Sequence, residues 1–140
     1  MIVVAKIGTS SITTDDGAIA EGAVAKFCAE VAGLRTAGHR VVMVTSGAIA
    51  AGLPALGYAS GARPRDAVTL QAASAVGQTR LMRVYEKAVG AHDIGTGQVL
   101  LAPLDFMVRQ QYLHARATLG RLLDLGVVPV VNENDAIADD

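Results

Sequence analysis

The sequence predicts a parallel α/β protein whose sheet is covered by helices on both faces, a three-layer αβα sandwich. Short runs rich in β-branched residues alternate along the chain with longer segments whose apolar residues recur at helical spacing. That order favours parallel strands joined by right-handed crossovers. Each of four strand-like runs also ends in small or polar residues. Because parallel strands place their carboxyl ends on one edge of the sheet, these residues are expected to meet in one crevice, the usual place for an active site.

Composition indicates one domain that acts on a small polar substrate. The chain has 140 residues, 51% of them hydrophobic, which suffices for one domain with a core. A net charge of −1 provides no basic surface for nucleic acid or anionic lipid. The only cysteine, Cys28, excludes an internal disulfide, and the N-terminus lacks the order of a signal peptide. For these two reasons we interpret the protein as cytosolic. No apolar run reaches the roughly 20 residues of a membrane span, so no membrane segment is expected.

The first strand and the first long helix follow from their apolar patterns. Residues 2–7 are an apolar, β-branched run interrupted by Lys6, which predicts a buried strand. Residues 21–37 carry apolar side chains at helical spacing, and Gly38 follows where a glycine commonly ends a helix. Cys28 falls on the apolar stripe of this helix, so we interpret it as a core residue rather than a reactive thiol.

The second strand, at residues 40–45, leads through a small-residue turn into a short helix that ends near Gly52. A loop rich in glycine and proline, residues 57–64, precedes a long helix at residues 66–91. One face of this helix carries unusually small residues, which predict close helix packing and a subunit contact: Ala72, Ala75, Val76 and Thr79.

The third and fourth strands complete the predicted sheet. Residues 98–102 form the third strand, stopped by Pro103, and an amphipathic helix ending at Gly126 leads to the fourth strand at residues 127–131. Since Pro129 cannot donate a backbone hydrogen bond, we expect this strand to be paired on one side only at that point and to form an exposed edge. No covering helix follows, so the chain is expected to be truncated.

The segment after the first strand has the residue types that handle phosphate. Lys6 offers an ammonium, Gly8 lets a ligand approach the backbone, and Thr9 and Ser10 offer hydroxyls. The alternative is that Lys6 extends from an edge strand into solvent. No Walker A motif is present, and residues 95–97, GTG, precede a strand instead of following one, so they are not a dinucleotide fingerprint.

Two later clusters have the chemistry to bind an amino acid. Ser46 and Gly47 lie between a strand and a helix, where backbone amides attract a carboxylate, although a serine N-cap is an equally good interpretation. Asn132 to Asp135, NEND, can accept an ammonium and donate to a carboxylate, the two charged ends of an amino acid. A turn rich in Asx residues is the alternative. The histidines show no metal-site spacing and are interpreted as surface or helix residues: His39, His92 and His114.

Four segments together resemble the glutamate 5-kinases of the amino acid kinase superfamily. They are VAKIGTS at residues 4–10, VTSGAIAAG at 44–52, QAASAVGQ at 71–78 and PVVNEND at 129–135. The resemblance covers nearly the whole chain, in order and at compatible spacings. Acetylglutamate kinases and aspartokinases differ at the first segment, because they typically carry paired glycines after the lysine.

The resemblance implies transfer of the γ-phosphoryl group of ATP to the side-chain carboxylate of L-glutamate, the first step of proline synthesis. It implies ATP with Mg²⁺ bound through the phosphates, a homo-oligomer, proline as a feedback inhibitor and no nucleic-acid partner. Lys6 matches the catalytic lysine. The remaining matches are phosphate-binding positions, Gly8, Thr9 and Ser10, and glutamate-binding positions, Ser46, Gly47, Asn132 and Asp135.

The resemblance also implies that residues 1–140 are the N-terminal part of an amino acid kinase domain. In this family, a second phosphate-binding lysine and most of the nucleotide pocket lie beyond the position of Asp140. We therefore expect the 140-residue chain alone to be inactive. His114 stands where the family often has asparagine, on a helix and away from the chemistry. The alternative function is a non-catalytic module that retains only the amino-acid-binding side.

Overall fold

The computed structural model describes residues 1–58 and 62–135; residues 59–61, part of the predicted glycine- and proline-rich loop, and residues 136–140 lie outside it. The described chain alternates strands and helices. In order these are β1 Ile2–Lys6, α1 Thr9–Ile12, α2 Glu21–Thr36, β2 Arg40–Val44, α3 Ala48–Gly52, a 3₁₀ turn Pro54–Leu56, α4 Ala67–Gly90, β3 Thr96–Leu101, α5 Leu104–Met107, α6 Arg109–Asp124 and β4 Val128–Glu133. Within these ranges no helix has both the length and the apolar character of a membrane span.

The four strands form one parallel sheet in the order β1-β2-β4-β3. The register places Lys6 beside Val44, Val44 beside Val131, and Val131 beside Val99. The carboxyl ends of all four strands therefore lie along one edge, as the sequence predicts for a parallel α/β sheet.

Helices cover the two faces of the sheet as separate layers. On one face, the fully buried side chains of Met43 and Val130 pack in a core with Tyr85 of α4 and residues of α2. Helix α6 lies on the other face. Its residue Leu122 packs so closely on Gly97 of β3 that a Cβ atom added to this glycine would stand 3.1 Å from the leucine side chain. The predicted three-layer αβα sandwich is confirmed.

The predicted core position of Cys28 is also confirmed. Its side chain is 1% exposed within the core cluster, on the face of α2 that packs against the sheet. Burial raises the pKa of the Cys28 thiol to about 11, because the apolar surroundings disfavour the thiolate. A thiol in this state is a packing group rather than a nucleophile.

The prediction of a buried first strand is wrong. β1 lies at an edge of the sheet and pairs with β2 only, among the described strands. Its alternate residues Ile2 and Val4 are 51% and 64% exposed, and Lys6 continues the exposed series. An apolar run indicates a strand with two covered faces, but here only the face that carries Val3 and Ala5 is covered.

The prediction that the fourth strand is an exposed edge is wrong, since β4 lies between β2 and β3. Its local basis is confirmed: Pro129 stands opposite Gly97 of β3, and the β2 register begins one residue later, at Val130. The Val131 carbonyl accepts from the Thr45 amide after β2. Residues two apart direct their backbone groups to the same side, so the missing N–H of Pro129 faces β2 just before that ladder begins.

Close helix packing occurs on α4, but not on the predicted face. A Cβ atom on Gly77 would lie 1.6 Å from the carbonyl oxygen of Ala48, and one on Gly52 would lie 1.9 Å from that of Ala73. The α3–α4 contact is thus backbone against backbone and requires both glycines. Three of the residues predicted to pack closely are exposed instead: Ala72, Ala75 and Thr79. A subunit contact at that exposed face stays a prediction.

Candidate active site at the carboxyl edge of the sheet

A cavity of about 520 Å³ opens at the carboxyl edge of the sheet. Its lining includes residues at or after the ends of all four strands: Lys6, Thr45, Ser46, Ala102, Asn132 and Glu133. The structure thus brings three of the predicted site residues, Lys6, Ser46 and Asn132, around one space. The expected convergence of the strand ends in one crevice is confirmed, while the chemical roles of these residues stay predictions.

Lys6 is the last residue of β1, and its side chain is exposed. The neighbouring residues Ala5 and Ile7 pack in or against the core cluster, so Lys6 extends from the opposite face of the sheet, the side of α6. Its side chain forms no ion pair or hydrogen bond with a described residue. The ammonium is therefore accessible to a ligand at the strand end, although the edge position of β1 also fits the solvent-exposed alternative.

A short helix, α1, begins directly after Gly8 and brings the first predicted loop against the second. The hydroxyls of Thr9 and Ser46 share a hydrogen bond of 2.9 Å, 37 residues apart in the chain. Ile12, the last residue of α1, is fully buried and fixes this helix in the core. Four residues without an apolar repeat carry no sequence signal for a helix, and α1 was not predicted.

The turn after β2 requires glycine at position 47. Gly47 has φ of +91°, a left-handed conformation that side chains disfavour. A Cβ atom there would also lie 3.2 Å from side-chain carbons of Thr9 and Ile12. The N-cap residue of α3 is Gly47 itself, with no side-chain capping bond, so the N-cap interpretation of Ser46 is wrong. The Ser46 hydroxyl bonds Thr9 instead.

A buried hydrogen bond behind this turn was missed by sequence reasoning. Thr45 and Tyr85 are 4% and 0% exposed, and their hydroxyl oxygens lie 2.6 Å apart. The pair fixes the end of β2 to α4. Burial raises the pKa of Tyr85 to about 12. A usable signal existed, because Tyr85 lies between the apolar positions Leu81 and Val89 of the helix, and a buried tyrosine hydroxyl needs a partner.

Asn132 lies inside β4 rather than after it, because the strand extends to Glu133. Its side chain is 5% exposed and hydrogen-bonded at both ends. Asn132 Oδ1 accepts from the backbone amide of Glu133 at 2.9 Å, and Asn132 Nδ2 donates to Gln78 Oε1 at 2.8 Å. Gln78 Nε2 in turn donates to Gln98 Oε1 at 2.8 Å. Three side-chain amides thus connect β4, α4 and β3.

Asp135 lies at a second, smaller cavity of about 250 Å³. That cavity is bordered by α4, β3 and the end of β4, through residues that include Ser74, Gln78, Gln98 and Thr79. Asp135 is not among the residues that line the larger cavity, so the structure separates it from Lys6 and Ser46. Glu133 borders both cavities and marks where they meet.

Comparison with known families and curated proteins gives a consistent result. The family model described as the amino acid kinase family matches residues 1–140. The chain is 48% identical over 135 residues to a glutamate 5-kinase of Pelobacter propionicus, a match that covers 96% of this chain and 36% of the relative. It is 49% identical over 138 residues to a glutamate 5-kinase of Ralstonia pickettii, covering 99% and 36%. The chain thus spans little more than a third of the length of these relatives.

Solved structures share the fold. A carbamate kinase from Giardia superposes with a TM-score of 0.62 and 16% identity, covering 94% of this chain and 57% of that one. A T. acidophilum isopentenyl phosphate kinase, in a product complex, superposes with a TM-score of 0.61 and 19% identity, covering 94% and 54%. At these identities the likeness concerns the fold alone.

Proposed function

The chain belongs to the amino acid kinase family, and from that premise we propose that it supplies the glutamate-binding side of a glutamate 5-kinase. Identities of 48% and 49% to relatives of that name support the assignment. The proposed reaction transfers the γ-phosphoryl group of ATP to the side-chain carboxylate of L-glutamate, as the first step of proline synthesis in the cytoplasm. Because the chain spans only 36% of these relatives, the complete activity is proposed for a longer polypeptide.

The hydrogen bond between Thr9 and Ser46 is the observation that supports this proposal most strongly. It joins the loop after Lys6, with its phosphate-handling residue types, to the turn that offers Ser46 and Gly47 to a carboxylate. A phosphoryl donor at the first loop would therefore face an acceptor carboxylate at the second. Phosphoryl transfer depends chiefly on such positioning and on charge stabilisation.

The chemistry needs no protein nucleophile. A carboxylate oxygen of glutamate bonds to the γ-phosphorus, the bond from that phosphorus to the β,γ-bridging oxygen breaks, and ADP leaves with the electron pair. The Lys6 ammonium stabilises the charge on the transferring group. Mg²⁺, assigned to the ATP phosphates, would neutralise further charge. Within residues 1–58 and 62–135 no three His, Cys, Asp or Glu side chains cluster as a metal site.

Gly8 supports the assignment of the first loop to phosphate. Its φ of −87° is ordinary for any residue, and a Cβ atom there would meet no atom within 4 Å. Unlike Gly47 or Gly77, this glycine is not required by the packing of the described chain. Close approach of a phosphate group to its backbone is the requirement that we assign to it, together with hydroxyl contacts from Thr9 and Ser10.

The glutamate contacts that we assign are the hydroxyl of Ser46, the amide of Gly47 and the side chains of Asn132 and Asp135. Because Asp135 and Ser46 border different cavities, a bound glutamate would extend across the edge of the sheet near Glu133. The proposal includes proline as a feedback inhibitor and a homo-oligomeric enzyme.

The test compares the 140-residue chain with a chimera in which it replaces the matching segment of the Ralstonia pickettii relative. Glutamyl phosphate is detected as the hydroxamate formed from glutamate, MgATP and hydroxylamine. We expect turnover by the chimera and none by the chain alone, with L-aspartate as the control substrate. A folded but inactive chimera would favour the non-catalytic module, and turnover by the chain alone would mean that the nucleotide half is not required.

A further inference from the structure

We propose that Gln78 is a positioning residue that holds the Asn132 side-chain amide in the orientation selected by the Glu133 N–H, and thereby sets the affinity for the amino acid substrate. The proposal rests on the assignment of Asn132 to glutamate binding. Gln78 belongs to α4, is 9% exposed and borders the smaller cavity but not the larger one, so it acts on the larger cavity through Asn132.

The direction of the amide chain is determined at one end by the backbone. The amide N–H of Glu133 is a donor that cannot be reversed, so the Asn132 atom it contacts must be the oxygen. Asn132 Nδ2 therefore faces Gln78, which must present its own oxygen. Gln78 Nε2 then faces Gln98 Oε1. One fixed donor thus orders three amides that could otherwise each be turned by 180°.

This order decides what Asn132 can offer a ligand. With one N–H and one lone pair used internally, its amide retains a second N–H on Nδ2 and a second lone pair on Oδ1. A carboxylate needs the donor and an ammonium needs the acceptor. If Gln78 stopped accepting from Nδ2, only the hydrogen bond from the Glu133 N–H would restrain the amide, and the free N–H and lone pair would be held less firmly towards the ligand. Because Gln78 orders the amide before a ligand arrives, the free energy of binding does not include the entropic cost of ordering it.

A purely structural role for Gln78, as a tie between α4 and β4, makes a different prediction. Methionine matches the length of glutamine, suits a helix and buries easily, whereas glutamate places a carboxylate in a buried position. If Gln78 only holds α4 against β4, stability and glutamate affinity should therefore be affected less by Gln78→Met than by Gln78→Glu. For positioning the order is reversed, because glutamate keeps an acceptor for Asn132 Nδ2, and the exposed Gln98 can turn its amide to donate to the new carboxylate.

The test uses the whole 140-residue chain and two variants, Gln78→Met and Gln78→Glu. The side-chain amide protons of Asn132 are followed by ¹⁵N NMR, and L-glutamate affinity is measured by calorimetry. We expect slow exchange of these protons in the parent and in Gln78→Glu, and fast exchange in Gln78→Met. Loss of one oriented hydrogen bond should weaken glutamate binding about tenfold in Gln78→Met and less than about threefold in Gln78→Glu.

Equal losses of affinity in the two variants, or better binding by Gln78→Met than by Gln78→Glu, would overturn the proposal. Fast exchange of the Asn132 amide protons in the parent would do so as well. Absence of glutamate binding to a parent chain whose Asn132 amide is protected would instead contradict the proposed function, because the exchange measurement does not depend on a ligand. Thermal unfolding of each variant confirms that folded proteins are compared.

Discussion

Two cavities of nearly equal volume lie at opposite ends of the sheet, and their charged residues are used differently. The one at the amino ends, about 510 Å³, is bordered by α2, the start of β2 and the segment after α4, with Arg35, His39, Arg40, His92 and Asp93 among its residues. Arg35 Nη2 donates to the carbonyl of Gly126 at 2.9 Å, and Arg40 pairs with Asp124 at 2.9 Å. Both cations thus tie other elements to the end of α6.

At the carboxyl ends, the cation has no such structural partner. Lys6 forms no ion pair with a described residue, and the turn beside it is held by hydroxyls and by a glycine with positive φ. The two cavities, at about 520 and 510 Å³, do not differ in size. What separates them is whether the fold already uses their Lys and Arg side chains, and by that measure the carboxyl edge is the better candidate for the site.

The largest expected effect at the carboxyl edge is on chemistry. Lys6→Ala in the chimera should lower turnover by about 10³-fold, because its ammonium is assigned to the charge that develops on the phosphoryl group. The unfolding temperature should not change, since the side chain is exposed and unpaired among the described residues. Lys26→Ala, an exposed lysine on α2, is the control. Turnover within a few-fold of the parent would remove the catalytic role from Lys6.

The next largest effect concerns the helix that supports the Ser46 turn. Gly77→Ala would place a methyl group 1.6 Å from the Ala48 carbonyl oxygen, forcing α3 away from α4. We expect a loss of about 3 kcal/mol or more of unfolding free energy. Gly33→Ala on α2, where a Cβ atom meets nothing within 4 Å, should be neutral or stabilising by up to about 1 kcal/mol. Equal denaturant midpoints for the two variants would contradict the backbone contact.

Tyr85→Phe should have a moderate effect, through the buried hydroxyl of Thr45. Loss of the 2.6 Å hydrogen bond leaves that hydroxyl without its partner and should cost about 1–2 kcal/mol of unfolding free energy.

The same tyrosine makes stability depend on pH. The pKa of Tyr85 is raised from 10.0 to about 12, so the stability contributed by its neutral form is complete below pH 10 and is lost as the pH rises towards 12. Between pH 8 and pH 11 the unfolding free energy should therefore fall less in Tyr85→Phe than in the parent, as measured by denaturation at the two pH values. An equal fall in both proteins would refute the link to Tyr85 ionisation.

The smallest effect is expected at the amino-end cavity. Arg40 and Asp124 have side chains that are 49% and 58% exposed, and such pairs contribute at most about 1 kcal/mol. Arg40→Ala should therefore change stability slightly, with a difference that shrinks in high salt, and should leave glutamate affinity unchanged. A large loss of glutamate affinity in this variant would indicate that glutamate binds at the amino ends of the strands, which would contradict a site at the carboxyl edge.

The sequence predicted the elements that have strong local signals. The apolar periodicity of α2 and α4 and the β-branched run of β2 predicted the parallel layers and the core position of Cys28 correctly. Strand order was not readable, because Pro129 fits an edge strand and the start of an interior ladder equally well. The small residues of α4 predicted close helix packing correctly. They did not indicate that Gly77 rather than Ala75 makes the contact, since this depends on where α3 crosses α4.

The candidate site was likewise predicted only where its features follow from local sequence and strand direction. The convergence of Lys6, Ser46 and Asn132 follows from parallel strands alone. The hydrogen bond from Ser46 to Thr9 and the amide chain through Gln78 depend on tertiary contacts between segments 37 and 54 residues apart, for which a local pattern has no signal.

The most direct test of the carboxyl-edge site is an NMR titration of the ¹⁵N-labelled 140-residue chain with L-glutamate. We predict saturable shifts of the backbone amides of Ser46, Gly47 and Asp135, with little change at Gly38 and Gly126 at the opposite end of the sheet. D-glutamate, which reverses the arrangement of ammonium and carboxylate, should cause much weaker shifts. Shifts concentrated at Gly38 and Gly126, or equal shifts with both enantiomers, would contradict the account.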